Sequence, residues 1–302
     1  MRLKLLVILL AGLSLATTTA EGEIFRRDGA LTVATYNVCN LFDTINDPGI
    51  RDNLPTPEHY RHKIEALARV IGELGPDMIG LCEVENAAVL RDLTTTAPLD
   101  SVPYRLLHYE SPDRRGIDVA LLYRADRIET IASEPIRFST DYPTRDVLRV
   151  ELRILGSERR MVVYVLHLPS RRGGYSQATR MRETIAATIG EQAAREEPGV
   201  GVIVLGDLND TPASGLVRRM LATEATGLRC LTAAAHRKGI GSYAWRDSWL
   251  MYDHILVNRE VNAIGDARVF RRPWMLTATG RFRGYPDRAI SDHLPVYIRI
   301  LY

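Results

Sequence analysis

Cysteine is scarce in this chain: Cys39, Cys82 and Cys230 are the only three in 302 residues. That number excludes a disulfide framework. The three read as small buried residues, with a Cys39–Cys82 bridge left open for an oxidising compartment. No Cys-x-x-Cys pair and no His-rich spacing occurs, so a structural zinc site is not expected. Long apolar runs are also missing. The run from Leu5 to Leu15 is too short for a comfortable membrane span. Arg2 and Lys4 precede it and Thr18-Thr19-Ala20 follow it, the layout of a secretory signal peptide over residues 1–20. The mature chain is therefore expected to be secreted or periplasmic. Net charge is missing as well. The chain has 39 Lys+Arg and 37 Asp+Glu, and losing Arg2 and Lys4 with the signal leaves 37 of each sign. No global cationic field draws in a polyanion, so any such binding must use local groups. Candidates are Arg114-Arg115, Arg171-Arg172, Arg271-Arg272 and the set Arg281, Arg283 and Arg288.

There is no low-complexity linker and no short-period repeat. Residues 21–302 are expected to form one α/β domain, with strands over 31–37, 77–83, 117–123, 147–154, 161–168, 202–206, 252–257 and 294–300. Tyr60, Ile64, Leu67, Ala68, Ile71 and Leu74 fall at helical spacing before Gly75-Pro76. A second long helix is expected over 178–194, with short ones after Asn86 and Pro212. No protein partner is implied, and a monomer is expected.

What the chain does have is a set of apolar strands that each end in polar groups. Val33-Ala34-Thr35-Tyr36 exits at Asn37, and Met78 to Cys82 exits at Glu83. Val162 to Leu166 exits at His167, and Val202 to Gly206 exits at Asp207-Leu208-Asn209. Asp253-His254 opens a strand, and Ser291-Asp292-His293 leads into Leu294-Pro295-Val296. Strands that deliver carboxylates, amides and imidazoles to one rim describe an active site on a β-scaffold. Asn37, Glu83, Asp207, Asn209 and Asp292 offer oxygen acceptors suited to a hard cation, Mg²⁺ or Mn²⁺. Of seven histidines, His59 and His62 lie on a helix surface, and His108 and His236 have no motif around them. His167 and His293 sit at the ends of very apolar runs, where an imidazole needs a partner or a task. Two imidazoles and a hard metal are the parts of a phosphoester hydrolase. Trp245 and Trp249 are expected to pack under the site, and Val269 to Met275 to offer an aromatic and basic surface to bases or to a membrane.

The ordered segments T-Y-N-V, L-C-E-V-E-N, G-I-D-V-A-L-L-Y-R, T-R-D-V-L-R-V, H-L-P-S-R-R-G-G, G-D-L-N-D, Y-D-H-I-L-V and S-D-H-L-P-V resemble the endonuclease/exonuclease/phosphatase superfamily. The likeness spans about residues 31–300 and is nearest to its secreted DNase and sphingomyelinase branch. It implies a four-layer α/β sandwich, with two mixed β-sheets face to face and helices outside. It implies metal-dependent hydrolysis of a phosphoester, foremost by a nuclease on nucleic acid, with a lipid phosphodiesterase or an inositol-type or other small-molecule phosphatase as the alternative. By position, Asn37, Glu83 and Asp292 match metal ligands. His293 matches the general base, Asp253 the carboxylate that orients it, and His167 a second catalytic histidine, read as the acid. Asp207 and Asn209 match the pair that orients water and phosphate. Arg145 matches a phosphate-contacting arginine, and Asp118 is the expected partner of His167. Glu85 and Asn86 also resemble positions in secreted bacterial nucleases; for Glu85, a surface or cap residue is the alternative.

Overall fold

A computed structural model describes residues 29–50, 53–138, 143–171, 175–246 and 248–302. The expected signal peptide and residues 172–174 of the basic loop lie outside the described residues. The elements run β1 (Ala30–Leu41), α1 (Pro57–Leu74), β2 (Met78–Val84), α2 (Ala87–Thr95), β3 (Tyr104–His108), β4 (Asp118–Arg124), β5 (Ile128–Ile136), β6 (Val147–Ile154) and β7 (Arg160–His167). They continue with α3 (Tyr175–Arg195), β8 (Gly201–Asp207), β9 (Arg229–Cys230), α4 (Ala233–Arg237), β10 (Tyr243–Trp245), β11 (Ser248–Leu250), β12 (Asp253–Val257), β13 (Asn262–Ala263), β14 (Arg268–Val269) and β15 (Val296–Leu301).

These strands form two large sheets. One has the order β13-β15-β1-β2-β4-β3 with β14 beside β15, the other β5-β6-β7-β8-β12-β9. Each holds one parallel pair, β1 with β2 and β7 with β8, and each pair is joined through a long helix, α1 or α3. Strand alternation builds the layers. Leu31, Val33 and Met78 face Val163, Val165, Ile203 and Leu205 between the sheets. Ala34, Tyr36 and Ile79 turn outward onto Leu67 and Ile71 of α1, while Val162, Tyr164 and Val202 turn onto Ile185 and Ile189 of α3. Both faces of the central strands are buried, which is why their sequences are apolar throughout. The expected four-layer sandwich is the observed fold.

Helix α1 is delimited by its own sequence. Thr56 accepts the amide of His59, Pro57 opens the first turn, and Gly75 closes it at φ 59° with its N–H on Ile71 O at 2.8 Å. Strands β3 and β5 are not among those expected from the sequence. Both are edge strands, and β5 includes Pro135, tolerated because an edge needs no donor on its free side. The helix expected after Pro212 is a single π turn, Val217–Leu221. Cys39, Cys82 and Cys230 are all free thiols, so no Cys39–Cys82 bridge exists.

One glycine matters for the site. Gly206 lies at φ 139°, and a Cβ there would collide with the backbone carbonyl of Leu166. Its absence lets β8 close on β7 so that Asp207 stands in register with His167. Gly206→Ala should destabilise the fold by at least about 3 kcal/mol, through both the clash and the backbone conformation. Urea denaturation would check it, and an unchanged midpoint would refute this account of the β7–β8 contact.

Candidate active site

Register alone assembles half of the site. In the second sheet Asp207 is opposite both His167 of β7 and Asp253 of β12, so three strand ends present their polar groups side by side. In the first sheet Asn37 pairs with Cys82, one residue before Glu83, at the point where the β1–β2 ladder breaks register and resumes only at Leu41 and Val84. Glu83 adopts φ 66°, a left-handed conformation that a glutamate holds only under constraint. Its Oε2 accepts the amide of Asn40 at 2.9 Å, which fixes the carboxylate. The sheets meet where Asn37 Nδ2 donates to Asp207 Oδ2 at 2.9 Å.

The turn Ser291-Asp292-His293 closes the rim. Ser291 Oγ donates to Asn37 O at 2.7 Å and accepts the amide of His293 at 3.0 Å, pinning the turn to β1. His293 Nδ1 donates to Asp253 Oδ2 at 2.7 Å. Its Nε2 lies 3.8 Å from Asp207 Oδ2 and 3.9 Å from Asp292 Oδ1. Opposite, His167 Nε2 stands 3.7 Å from both Asp207 Oδ2 and Glu83 Oε1. Asn37, Glu83, His167, Asp207, Asp292 and His293 line one cleft of about 680 Å³, with Arg114, Arg115, Arg171, Asn209, Tyr243 and Trp245 among its walls and Asp253 buried behind.

The electrostatics follow from crowding. Burial alone would lower the pKa of His293, but Asp253, Asp207 and Asp292 overcome it and raise it to about 10. Burial pushes Asp207 up to about 7. Burial also pushes His167 well below the usual histidine range, and Arg145 and Arg115 add to this, so its ring is neutral.

The donor set fits a hard divalent cation. Glu83, Asn37 and Asp292 bring oxygens to the cleft wall, and the Glu83 Oε1 edge faces His167 and, at 3.7 Å, Arg115. Asp207, Asp253 and His293 are also close enough together to hold an ion. Asp253 is fully buried, however, and one of its oxygens already accepts from His293, so this trio is better read as a base with its supporting carboxylates.

A model of the endonuclease/exonuclease/phosphatase family matches residues 32–301. The chain belongs to this family. Its members hydrolyse phosphoester bonds and generally use divalent metal ions. Among solved structures, TDP2 from D. rerio complexed with single strand DNA product is 16% identical, with TM-score 0.64, over 91% of this chain and all of that one. The catalytic domain of human Nocturnin with bound sulfate is 17% identical, with TM-score 0.61, over 90% and 94%. The mannosyl-6-phosphatase of Bacteroides thetaiotaomicron is 16% identical, with TM-score 0.59, over 90% and 100%. No curated protein matches the chain.

Family resemblance places some residues differently from the structure. Asp118 is not the partner of His167. Its Oδ2 pairs with His108 Nε2 at 3.1 Å and its Oδ1 accepts the amide of Ser111 at 3.0 Å, because β3 lies against β4 and carries His108 to it. Arg145 lines the cleft but is engaged. Its NH1 binds Asp113 Oδ2 at 2.7 Å, and its other nitrogens donate to the carbonyls of His167 and Leu168 at 3.3 and 3.1 Å. It therefore steadies the exit of β7. Arg145→Ala should cost about 2–3 kcal/mol, since buried Asp113 would lose its closest cation and keep only Arg115, whose amide it accepts at 2.9 Å and whose Nε lies 3.9 Å away. Thermal unfolding would show this, and a variant as stable as the parent would contradict the positioning role.

Asn86 caps α2 through the amides of Ala88 and Val89, while buried Glu85 accepts the amide of Asp43. Both support the rim loop. Trp245 does not pack under the site but stands 42% exposed at its mouth; Trp249 is half-buried on the other face of the hairpin, against the cluster that holds Phe270 and Met275 rather than under the cleft. Phe270 and Met275 are buried, so only part of the 269–275 segment, Arg271 included, lies on the surface expected of it. Three contributors escaped the sequence reading. Asn40, Ser291 and Lys63, whose ammonium donates to the Cys39 carbonyl, support the site through backbone groups or fixed carboxylates, and no motif marks such contacts.

Proposed function

We propose that this protein is a secreted, metal-dependent phosphodiesterase acting on nucleic acid, of the DNase-like branch of its family. The observation that carries the reading is the pair of imidazoles whose Nε2 atoms stand 3.8 and 3.7 Å from the same oxygen of Asp207, within an arginine-rimmed cleft. Asp253 holds the Nδ1–H tautomer of His293, so its Nε2 is the atom able to take a proton from water. The water oxygen bonds to phosphorus while the bond to the leaving oxygen breaks, and the imidazolium formed is steadied by Asp253. His167 is neutral in the free cleft; as the anionic substrate binds beside it, Nε2 takes a proton from solvent, hydrogen-bonds the phosphoryl group, and passes that same proton to the leaving oxygen, which returns the ring to its neutral form. Asp207 and Asn209 set the floor of the cleft, the Asn209 amide donating to Asp207 Oδ1 at 2.8 Å. Glu83, Asn37 and Asp292 would hold Mg²⁺ or Mn²⁺, which offsets the charge developing on the phosphoryl oxygens.

The breadth of the cleft, Trp245 at its mouth and Arg115 and Arg171 in its walls favour a strand over a lone phosphate. The single strand DNA product bound to D. rerio TDP2 supports the same substrate class. A panel of plasmid DNA, single-stranded DNA, RNA, sphingomyelin and sugar phosphates, run with Mg²⁺ or Mn²⁺ and with EDTA, tests it. Metal-dependent cleavage of a nucleic acid is expected, whereas turnover of only the lipid or the sugar phosphate would replace the reading. For export, mass spectrometry should find a mature N-terminus near Glu21 outside the cytoplasm. An intact Met1 in a cytosolic fraction would contradict secretion.

A further inference from the structure

The chain carries a net charge of only +2, yet one segment is locally basic. Residues 267–290 contain six arginines and one acid, Asp287. Aromatic rings alternate with them in space. Phe282, flanked by Arg281 and Arg283, is 60% exposed, the most exposed described aromatic among the large hydrophobic side chains. Its ring lies 6.4 Å from that of Tyr285, which meets Trp249 edge-on at 5.9 Å. Guanidinium groups cover two of these rings: Arg281 over Phe282 at 5.8 Å, and Arg271 over Trp249 at 5.1 Å.

This array is continuous with the cleft. Trp249 belongs to the β10–β11 hairpin, paired with Ala244, and the next residue, Trp245, alternates to the other face and lines the cleft mouth. Arg246 lies 5.7 Å from the Trp245 ring. On the opposite side Arg288 reaches to 3.7 Å from Asp292 of the cleft rim.

We propose that the loop around Phe282 and the outer face of the β10–β11 hairpin form a track for single-stranded nucleic acid leading into the cleft. The proposal rests on the nucleic-acid reading above and adds a second binding region to it. Rings with guanidinium groups between them match successive bases and phosphates, and a ring surface binds any base. A membrane is the weaker match, because Phe282 alone projects while Trp249 and Tyr285 are half-buried, too little apolar surface for insertion.

The test uses the full mature protein in EDTA with a fluorescein-labelled 20-nucleotide oligothymidylate, read by anisotropy. Phe282→Ala should weaken binding about tenfold, in the range of one lost stacked base. Arg281→Ala with Arg283→Ala should lower the slope of log Kd against log salt by about 1.4, for two phosphate contacts. Turnover of the dinucleotide dTpdT and of bis(p-nitrophenyl) phosphate in Mg²⁺ should stay within about twofold of the parent, because neither reaches the track. Unchanged 20-mer affinity in both variants overturns the track while leaving the nuclease reading standing. Loss confined to phosphatidylserine vesicles makes the patch a membrane contact instead. A parent protein that hydrolyses bis(p-nitrophenyl) phosphate but neither binds nor cuts the 20-mer overturns both the substrate reading and the track.

Discussion

Replacing His293 by alanine should lower kcat by at least about 10²- to 10⁴-fold while leaving the fold intact, the range a positioned general base contributes. His293 is the one imidazole in the cleft with a paired carboxylate behind it, Asp253 at 2.7 Å. Asp253→Asn keeps the shape but permits the wrong tautomer, so it should harm kcat more than KM. The pH dependence has a definite sign. In the metal-free protein the surrounding carboxylates raise His293 from 6.5 to about 10. Its charged form is thus favoured by folding, and that contribution to stability is complete below about pH 6.5 and lost as pH rises through about 10. EDTA-treated protein should lose Tm between pH 7 and 10, and His293→Ala should flatten that loss. As the proposed base His293 must act with its ring neutral, so kcat/KM should rise with pH. A bound cation repels the proton on His293, and the rising limb should therefore move to lower pH as Mn²⁺ is increased. A limb that stays fixed across metal concentrations would remove His293 from the metal's neighbourhood.

The second large effect is expected at Glu83. Glu83→Ala removes a carboxylate that Asn40 fixes and whose free edge faces the cleft. Loss of a supporting outer-shell group weakens metal affinity by about 10- to 100-fold, so loss of a direct ligand should exceed about 100-fold. Isothermal titration with Mn²⁺ would read this directly, and excess Mn²⁺ should restore part of the activity. Glu83→Ala that binds Mn²⁺ like the parent would show that the cation is held elsewhere. A bound cation and the proton on the neighbouring His293 repel each other, so the parent's Mn²⁺ affinity should rise with pH and binding should release protons.

Much of this site is legible in the sequence because strands impose it. An apolar run buried on both faces must stop where it meets water, and His167, Asp207 and Asp253 mark such ends, while Asn37 and Glu83 mark the break in the β1–β2 ladder. The parallel β1–β2 and β7–β8 pairs then bring those ends together without any further instruction. What escapes depends on contacts between distant segments. Asp118 has no local feature that reveals His108, since the two meet only through the β3–β4 ladder and β3 is a short edge strand. The salt bridge of Arg145 to Asp113 joins residues 32 apart, and the same arginine in an open cleft would be free for phosphate. Trp245 and Trp249 look equivalent in sequence, yet the hairpin pairing turns one to the cleft mouth and leaves the other half-buried on the opposite face. Gly206, by contrast, is visible beforehand as part of G-D-L-N, and its role becomes clear only when the Leu166 carbonyl is seen in the place of a Cβ.

The central claim is that one cleft hydrolyses phosphodiesters with a hard metal and His293 as the base. The initial rate of bis(p-nitrophenyl) phosphate hydrolysis tests it most directly, measured for the parent and for His293→Ala, with EDTA and then with Mn²⁺ restored. The expected result is a parent rate that vanishes in EDTA, returns with Mn²⁺, and is lost in the variant under both conditions. A rate that persists in EDTA, or a His293→Ala protein that keeps pace with its parent in Mn²⁺, would contradict the account.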